Sequence, residues 1–274
     1  MFLSGLFIYP IKSLKGIQVA ESRVERAGLE YDRRWMLVDS NNRFISQRDY
    51  PKLATISVGI ETSHLTVSAR GHDPLLIPFQ TPTDFPILVQ VWADTCAGSL
   101  VSREADQWFS KVLEEPCRLV HVGANVQRRV DQKYAIADDI VSFADAYPFL
   151  LANNASLDEL NSRLPERIVM NRFRPNFVIS GAPSFAEDDW KFITIGSASF
   201  HVVKPCSRCV MTTIDQETGA KNGDEPLRTL ASFRRRGNEV HFGQNLIAAD
   251  EGETVRLGDP LTIIETTAGA LHQA

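Results

Sequence analysis

The stretch KPCSRCVMTTID, residues 204–215, carries two of the chain's four cysteines, Cys206 and Cys209, with two residues between them. Thiols at that spacing can clamp a metal, cycle as a redox dithiol or pack a turn. A structural zinc site takes four Cys or His ligands, usually as two close pairs. The sequence has no second pair, and the nearest histidines, His201 and His241, stand apart. A thioredoxin-type dithiol sits at a helix N-terminus after a strand, whereas CVMTTID is β-branched and reads as strand itself. Two readings stay open: one metal-ligating thiolate, or two structural cysteines. Cys96 and Cys117 stand singly among apolar or mixed neighbours and read as packing residues.

The basic residues fall into motifs although the chain is acidic, with net charge -5 and pI about 5.7. YPIKSLKG holds Lys12, Ser13 and Lys15, YDRRW holds Arg33 and Arg34, and NRFRPN holds Arg172 and Arg174. Each lies beside an apolar or aromatic residue at an expected strand end. Any one of them reads equally as surface. Arginine near Asn and Ser also suits bidentate phosphate binding, so the three patches, if convergent, form an anion site for a phosphorylated cofactor. Gln244 and Asn245 in HFGQNL offer amides to a heteroaromatic ring, or simply close a polar turn. No G-x-S-x-G, P-loop or G-x-G-x-x-G occurs, and neither Asp138-Asp139 nor Asp188-Asp189 has the spacing of an acid–base pair.

The elements that must position these residues are mostly strands. The apolar opening MFLSGLFIYPIKS lacks the basic lead of a signal peptide and reads as a first strand. Hairpins are predicted around Asp39–Asn42, within 54–70, within 86–102, around Gly196-Ser197 and around Gly258-Asp259. A helix with Ser102 as N-cap follows from Trp108/Val112 and Phe109/Leu113 at four-residue spacing. A second is expected at SLDELNSRL, with Ser156 and Glu159 as a capping box and Pro165 beyond its end. A third runs through EPLRTLASFRRR, with Pro226 at its first position and three arginines at its C-terminus. Many strands with few helices predict a mainly β fold with some α (α+β) and barrel-like architecture. Sparse cysteines point to a reducing cytoplasm, the charge balance argues against a nucleic-acid partner, and no stretch nears the roughly 20 apolar residues that span a bilayer.

Taken in order, YPIKSLKGI, GLEYDRRWMLVD, FRPNFVISG, PCSRCVMTTID and FGQNL resemble the motifs of the MOSC-domain proteins of the YcbX and mitochondrial amidoxime reducing component group, from about residue 5 to about residue 265. The resemblance implies an N-terminal β-rich subdomain over 1–120, a MOSC β-barrel over 121–266 and a tail over 267–274. It further implies a molybdenum cofactor in the cleft between them and reduction of N-hydroxylated compounds such as amidoximes and hydroxylamines. By position in the motifs, Cys209 is the protein thiolate on molybdenum, with Cys206 in support. Lys12, Ser13, Arg33 and Arg174 then hold the phosphate and pterin, and Ser207 lies beside the metal. Gln244 and Asn245 are assigned to the pterin side, and the helix start at Asn154–Ser156 to the phosphate.

YcbX continues into a ferredoxin-type domain, whereas no iron–sulfur cysteine motif occurs here. The expectation is a separate electron donor, a ferredoxin or flavoprotein, or else a truncated chain. The relatives' membrane anchor is also missing, so no membrane partner is expected. Two other classes compete with a reductase: a non-catalytic cofactor or sulfur carrier, and a β-barrel protein whose Cys pair is structural or binds zinc.

Overall fold

The computed structural model describes residues 1–79, 85–122, 127–221 and 223–270. Its fold is mainly β with three α-helices among the described residues. The largest sheet has ten strands. Nine follow the order 17–18, 2–8, 177–180, 149–153, 239–248, 198–207, 190–195, 261–266 and 269–270, and 235–236 pairs with the 239–248 strand. Pairing is antiparallel except where Phe149–Asn153 runs parallel to Phe177–Ser180. A four-stranded sheet in the order 35–38, 118–121, 94–100, 85–91 and two three-stranded sheets complete the β-structure.

Alternation accounts for these strands. In Glu21–Glu25 and His64–Ser68, buried Val24, Leu65 and Val67 alternate with exposed or half-exposed residues, the period-two signature of a sheet with one wet face. The chain's start is built into the largest sheet, where Phe2–Ile8 pairs with Phe177–Ser180, and Glu21–Glu25 pairs with Thr254–Arg256 in one of the three-stranded sheets. Leu3, Leu6, Ile8, Val24 and Leu29 accordingly share one core with Phe149, Phe177, Phe200 and Leu246. A second core gathers Ile11, Leu14, Trp35, Leu37 and the 57–78 strands under helix α1, Arg103–Leu113. The segment after Ile8 thus passes from one core to the other, carrying Lys12 and Ser13 at the crossing.

Six local expectations fare differently. Helix α1 forms with the Ser102 hydroxyl accepting from Ala105 N, and Gly196-Ser197 turns a hairpin between 190–195 and 198–207. The residues around Gly258-Asp259 do not: Thr254–Arg256 and Leu261–Thr266 pair with different strands, 21–25 and 190–195. Helix α2 spans Asn154–Asn161, starting three residues earlier than a Ser156 cap requires. Asn153 caps it through Ala155 N, because the Ser156 hydroxyl is taken by buried Glu187 and Phe185 N. CVMTTID is not a strand; Val210–Thr213 closes a 3-10 turn whose threonine hydroxyls bond back to carbonyls three residues earlier. Helix α3 covers Leu227–Phe233 with Pro226 as N-cap, and Arg235–Arg236 leave it as a strand against 239–240.

Candidate functional site

A cavity of about 220 Å³ lies where these two halves meet. Its walls come from the crossing at Lys12-Ser13, from Arg33, from Phe44–Arg48, from 144–147, from 172–176 and from the end of the 198–207 strand through Thr212. Seven cationic side chains line it: Lys12, Arg33, Arg48, Arg172, Arg174, Lys204 and Arg208. Asp145 is the one carboxylate among the described lining residues. In a chain of net charge -5 this concentration makes an anion site by focusing positive potential in a concave, low-dielectric setting.

The cationic end is built around Tyr9. The Arg33 and Arg174 guanidiniums lie 4.2 and 4.3 Å from the centre of its ring, and its hydroxyl donates to Pro175 O at 3.1 Å. Arg33 Nη1 donates to both carboxylate oxygens of fully buried Asp32 (2.9 and 2.7 Å), which also accepts from Tyr9 N (2.8 Å). Arg174 Nη1 reaches Gln216 Oε1 at 3.2 Å. Burial pushes the Tyr9 phenol up to about 12 and the Arg174 guanidinium down to about 10, so Arg174 stays charged at neutral pH. Ser13, Arg33 and Arg174 all hold positive φ, 70°, 50° and 54°. Left-handed backbone is uncommon for residues other than glycine and clusters at functional sites.

Lys12 is buried, and its Nζ donates to Phe143 O (2.8 Å) and to Asp145 Oδ1 (2.5 Å). Burial lowers its ammonium to about 8, with Arg128 and Arg33 adding to the fall and Asp145 opposing it. Asp145 lies at the mouth with its side chain 57% exposed. Burial works against its charge, but Lys12 and Arg48 hold its carboxyl below the usual carboxylate range.

At the other end stand the sulfurs. Cys206 and Ser207 close the 198–207 strand, and Cys209 is the residue before the 3-10 turn. Arg208 Nη1 donates to Cys206 Sγ at 2.8 Å, and Arg48 Nη2 donates to Cys209 Sγ at 3.0 Å. Both cysteines are half-buried and free. Two buried polar atoms on this lining, Tyr147 Oη and Arg208 Nε, have no hydrogen-bond partner among the described residues. Such atoms cost roughly 1–3 kcal/mol each when left bare.

Of the residues singled out in the sequence, Lys12, Ser13, Arg33, Arg174, Ser207, Cys209 and Asn245 meet at this cavity. Three do not. Gln244 is buried on the other face of its strand and donates to Asp188 (2.8 Å). Asn154 donates to Ser4 and Ser180 (3.1 and 2.9 Å), and Ser156 is consumed by Glu187, so the start of α2 serves the fold away from the cavity lining. Asn245 faces inward because neighbouring strand residues point to opposite faces. Sequence reasoning missed Arg48, Asp145 and Tyr147. Arg48 carried a usable signal, an arginine in ISQRDYP at the end of a hairpin arm, like the three basic motifs.

Among the described residues, no group of three or more His, Cys, Asp or Glu side chains is gathered as a metal cage. A metal held here would have the Cys206 and Cys209 sulfurs as the soft protein donors among the described lining residues and would need its other ligands from a bound group.

The description "MOSC N-terminal beta barrel domain" matches residues 1–116 and "MOSC domain" matches residues 138–262. These matches define the chain as a MOSC-domain protein. The mouse protein "Mitochondrial amidoxime-reducing component 1" is 37% identical over 279 residues, covering 96% of this chain and 82% of the relative. Its human counterpart is 35% identical with the same coverage, and the rat "Mitochondrial amidoxime reducing component 2" is 32% identical, covering 94% and 82%. The chain belongs to the mitochondrial amidoxime-reducing component family.

Proposed function

We propose that this protein reduces N-hydroxylated compounds, amidoximes and hydroxylamines among them, with a molybdenum cofactor held in the cavity. The observation that carries the reading is the pairing of a cationic pocket with a half-buried thiol at its far end. A pterin dithiolene ending in phosphate is an anion with polar ring edges, and it supplies soft sulfur ligands to its metal. The residues present suit such a group. Arg33, Arg174, Lys12 and Ser13 would hold the phosphate and pterin, Asn245 and the bare Tyr147 Oη and Arg208 Nε would take polar edges, and Ser207 would flank the metal. Cys209 would give the protein thiolate, the ligand type that suits a soft metal. When bound, the cofactor supplies two-electron redox chemistry.

The chain's own part is to bind, orient and move protons. Converting N–OH to N–H with loss of water consumes two electrons and two protons. Lys12, lowered to about 8 by burial, is assigned proton delivery, and Asp145, held ionised beside it, orients its ammonium. The electrons come from a separate ferredoxin- or flavoprotein-type donor. Four free cysteines suit a reducing compartment such as the cytoplasm, and among the described residues no helix is long and apolar enough to cross a membrane.

Turnover of benzamidoxime by cofactor-loaded protein with an artificial reductant tests this. Formation of benzamidine is expected. Loaded protein that leaves several N-hydroxylated substrates untouched contradicts the reductase and favours a cofactor carrier.

A further inference from the structure

Arg48 reaches Cys209 from 161 residues away in sequence, and the segment that presents it is unusually well tied. Arg48 N donates to Ser46 Oγ (3.2 Å), the same hydroxyl donates to Asp49 Oδ2 (3.2 Å), and the amides of Asp49 and Tyr50 both reach Ser46 O. Gln47 is fully buried; it exchanges amide hydrogen bonds with Gln216 (3.1 and 2.9 Å) and donates to Ser13 O (2.7 Å). The turn is thereby fixed to the Lys12-Ser13 crossing and to the segment just after Cys209.

Beyond its backbone, the Arg48 guanidinium lies 4.5 Å from the centre of the Trp92 ring. Trp92 is half exposed, yet three contacts hold its indole. Nε1 donates to Asp145 Oδ1 (3.3 Å), Phe44 meets it edge-on at 4.9 Å, and Arg48 covers it. Positive φ (57°) at the turn between the 85–91 and 94–100 strands places it there. Lys12, Asp145, Trp92, Arg48 and Cys209 therefore form one chain of direct contacts along the wall. Cys206 is met by an arginine only two residues on, Arg208, whose guanidinium lies 5.2 Å from the centre of the Phe173 ring and donates to Phe173 O. What sets Cys209 apart is that its arginine comes from a distant segment.

We infer that Arg48 is a positioning residue for Cys209, fixing the sulfur's direction into the cavity, and that Trp92 in turn fixes Arg48. This rests on the assignment of Cys209 to the metal. A single cysteine torsion separates a sulfur aimed at the cavity from one turned away, and an N–H···S bond from a stacked, planar guanidinium selects one setting. Partners of this kind around metal ligands typically matter by about 10- to 100-fold.

The test uses full-length protein from a molybdenum-replete host, as wild type, Arg48→Gln, Arg48→Lys, Trp92→Ala and Trp92→Phe. Molybdenum content, the Mo(V) electron paramagnetic resonance spectrum, and kcat and KM for benzamidoxime are measured on each. For Arg48→Gln the expectation is retained molybdenum, altered g values and kcat lowered about tenfold with KM moved far less. Arg48→Lys recovers part of the loss, Trp92→Ala resembles Arg48→Gln in weaker form, and Trp92→Phe, which keeps a ring under the guanidinium, recovers most of it. Molybdenum-loaded Arg48→Gln with wild-type g values and kcat overturns the positioning role alone. Wild-type protein without molybdenum contradicts the cofactor assignment and this role with it. Crystals of cofactor-free protein give a readout apart from turnover. Cys209 Sγ in one rotamer in wild type but several in Arg48→Gln supports the inference; the same single rotamer in both overturns it.

Discussion

At one end of the cavity Arg33 and Arg174 stack over a buried tyrosine, tied to Asp32, Gln216 and backbone carbonyls, with three residues in left-handed backbone. At the other end two half-buried sulfurs each meet a single arginine on a strand end and a 3-10 turn. The cationic end is over-determined, whereas each sulfur itself meets one arginine, however well that arginine is tied. That division suits a site whose anion grip must be formed before the ligand arrives, since pre-organised charge costs little to use, while the reactive end stays accessible. Backbone strain of roughly 1–3 kcal/mol per residue persists where surrounding contacts enforce it, as they do at Ser13, Arg33 and Arg174.

The contrast can be broken most severely through Arg174. Arg174→Gln removes one of the two guanidiniums held over Tyr9, and charge-assisted hydrogen bonds of about 1.5–3 kcal/mol correspond to a loss of cofactor occupancy of about tenfold or more. Bound pterin and molybdenum per chain measure this, with thermal unfolding as a check that the fold is kept. Unchanged occupancy would show that Arg174 lies outside the grip.

A smaller effect is expected from Gly16→Ala. A Cβ on Gly16 would sit 2.4 Å from Tyr9 Cε1, and the ring cannot retreat while both guanidiniums and Pro175 O hold it. Overpacking of this kind costs about 1–3 kcal/mol. Denaturant unfolding should show that loss together with weaker cofactor retention, whereas wild-type stability would mean the cationic end is more yielding than its contacts indicate.

The mildest change sharpens the comparison through pH. Lys12 titrates at about 8, below the ordinary lysine value, because burial disfavours its charge. Its positive charge is present below that pH and lost above it, so anion binding weakens as pH rises through about 8. Asp145 holds the Lys12 ammonium up against burial, Arg128 and Arg33. In Asp145→Asn the alkaline midpoint of cofactor affinity should therefore move to lower pH. A midpoint that stays or rises would remove Lys12 from the grip.

Much of this arrangement was legible in the sequence because strands and motifs are local. Alternation gave the 57–68 and 190–207 hairpins, and the basic motifs gave Lys12, Arg33 and Arg174 at strand ends. Non-local competition hid the rest. Ser156 looks like a cap until Glu187, 31 residues on, takes its hydroxyl. Gln244 and Asn245 look alike until sheet pairing sends one to Asp188 and the other to the cavity. Arg48 and Asp145 gain meaning only from Cys209, Trp92 and Lys12, distant in sequence and adjacent in the fold. The Thr254–Arg256 strand left its neighbour for Glu21–Glu25, a pairing that no local pattern encodes.

In the proposed site the two cysteines are unequal: Cys209 would bind the metal and Cys206 would not. Metal and pterin analysis of Cys209→Ala and Cys206→Ala proteins from a molybdenum-replete host tests it most directly. Loss of molybdenum from Cys209→Ala with near wild-type content in Cys206→Ala is the predicted result. Equal molybdenum in both variants, or zinc in its place, would contradict the account.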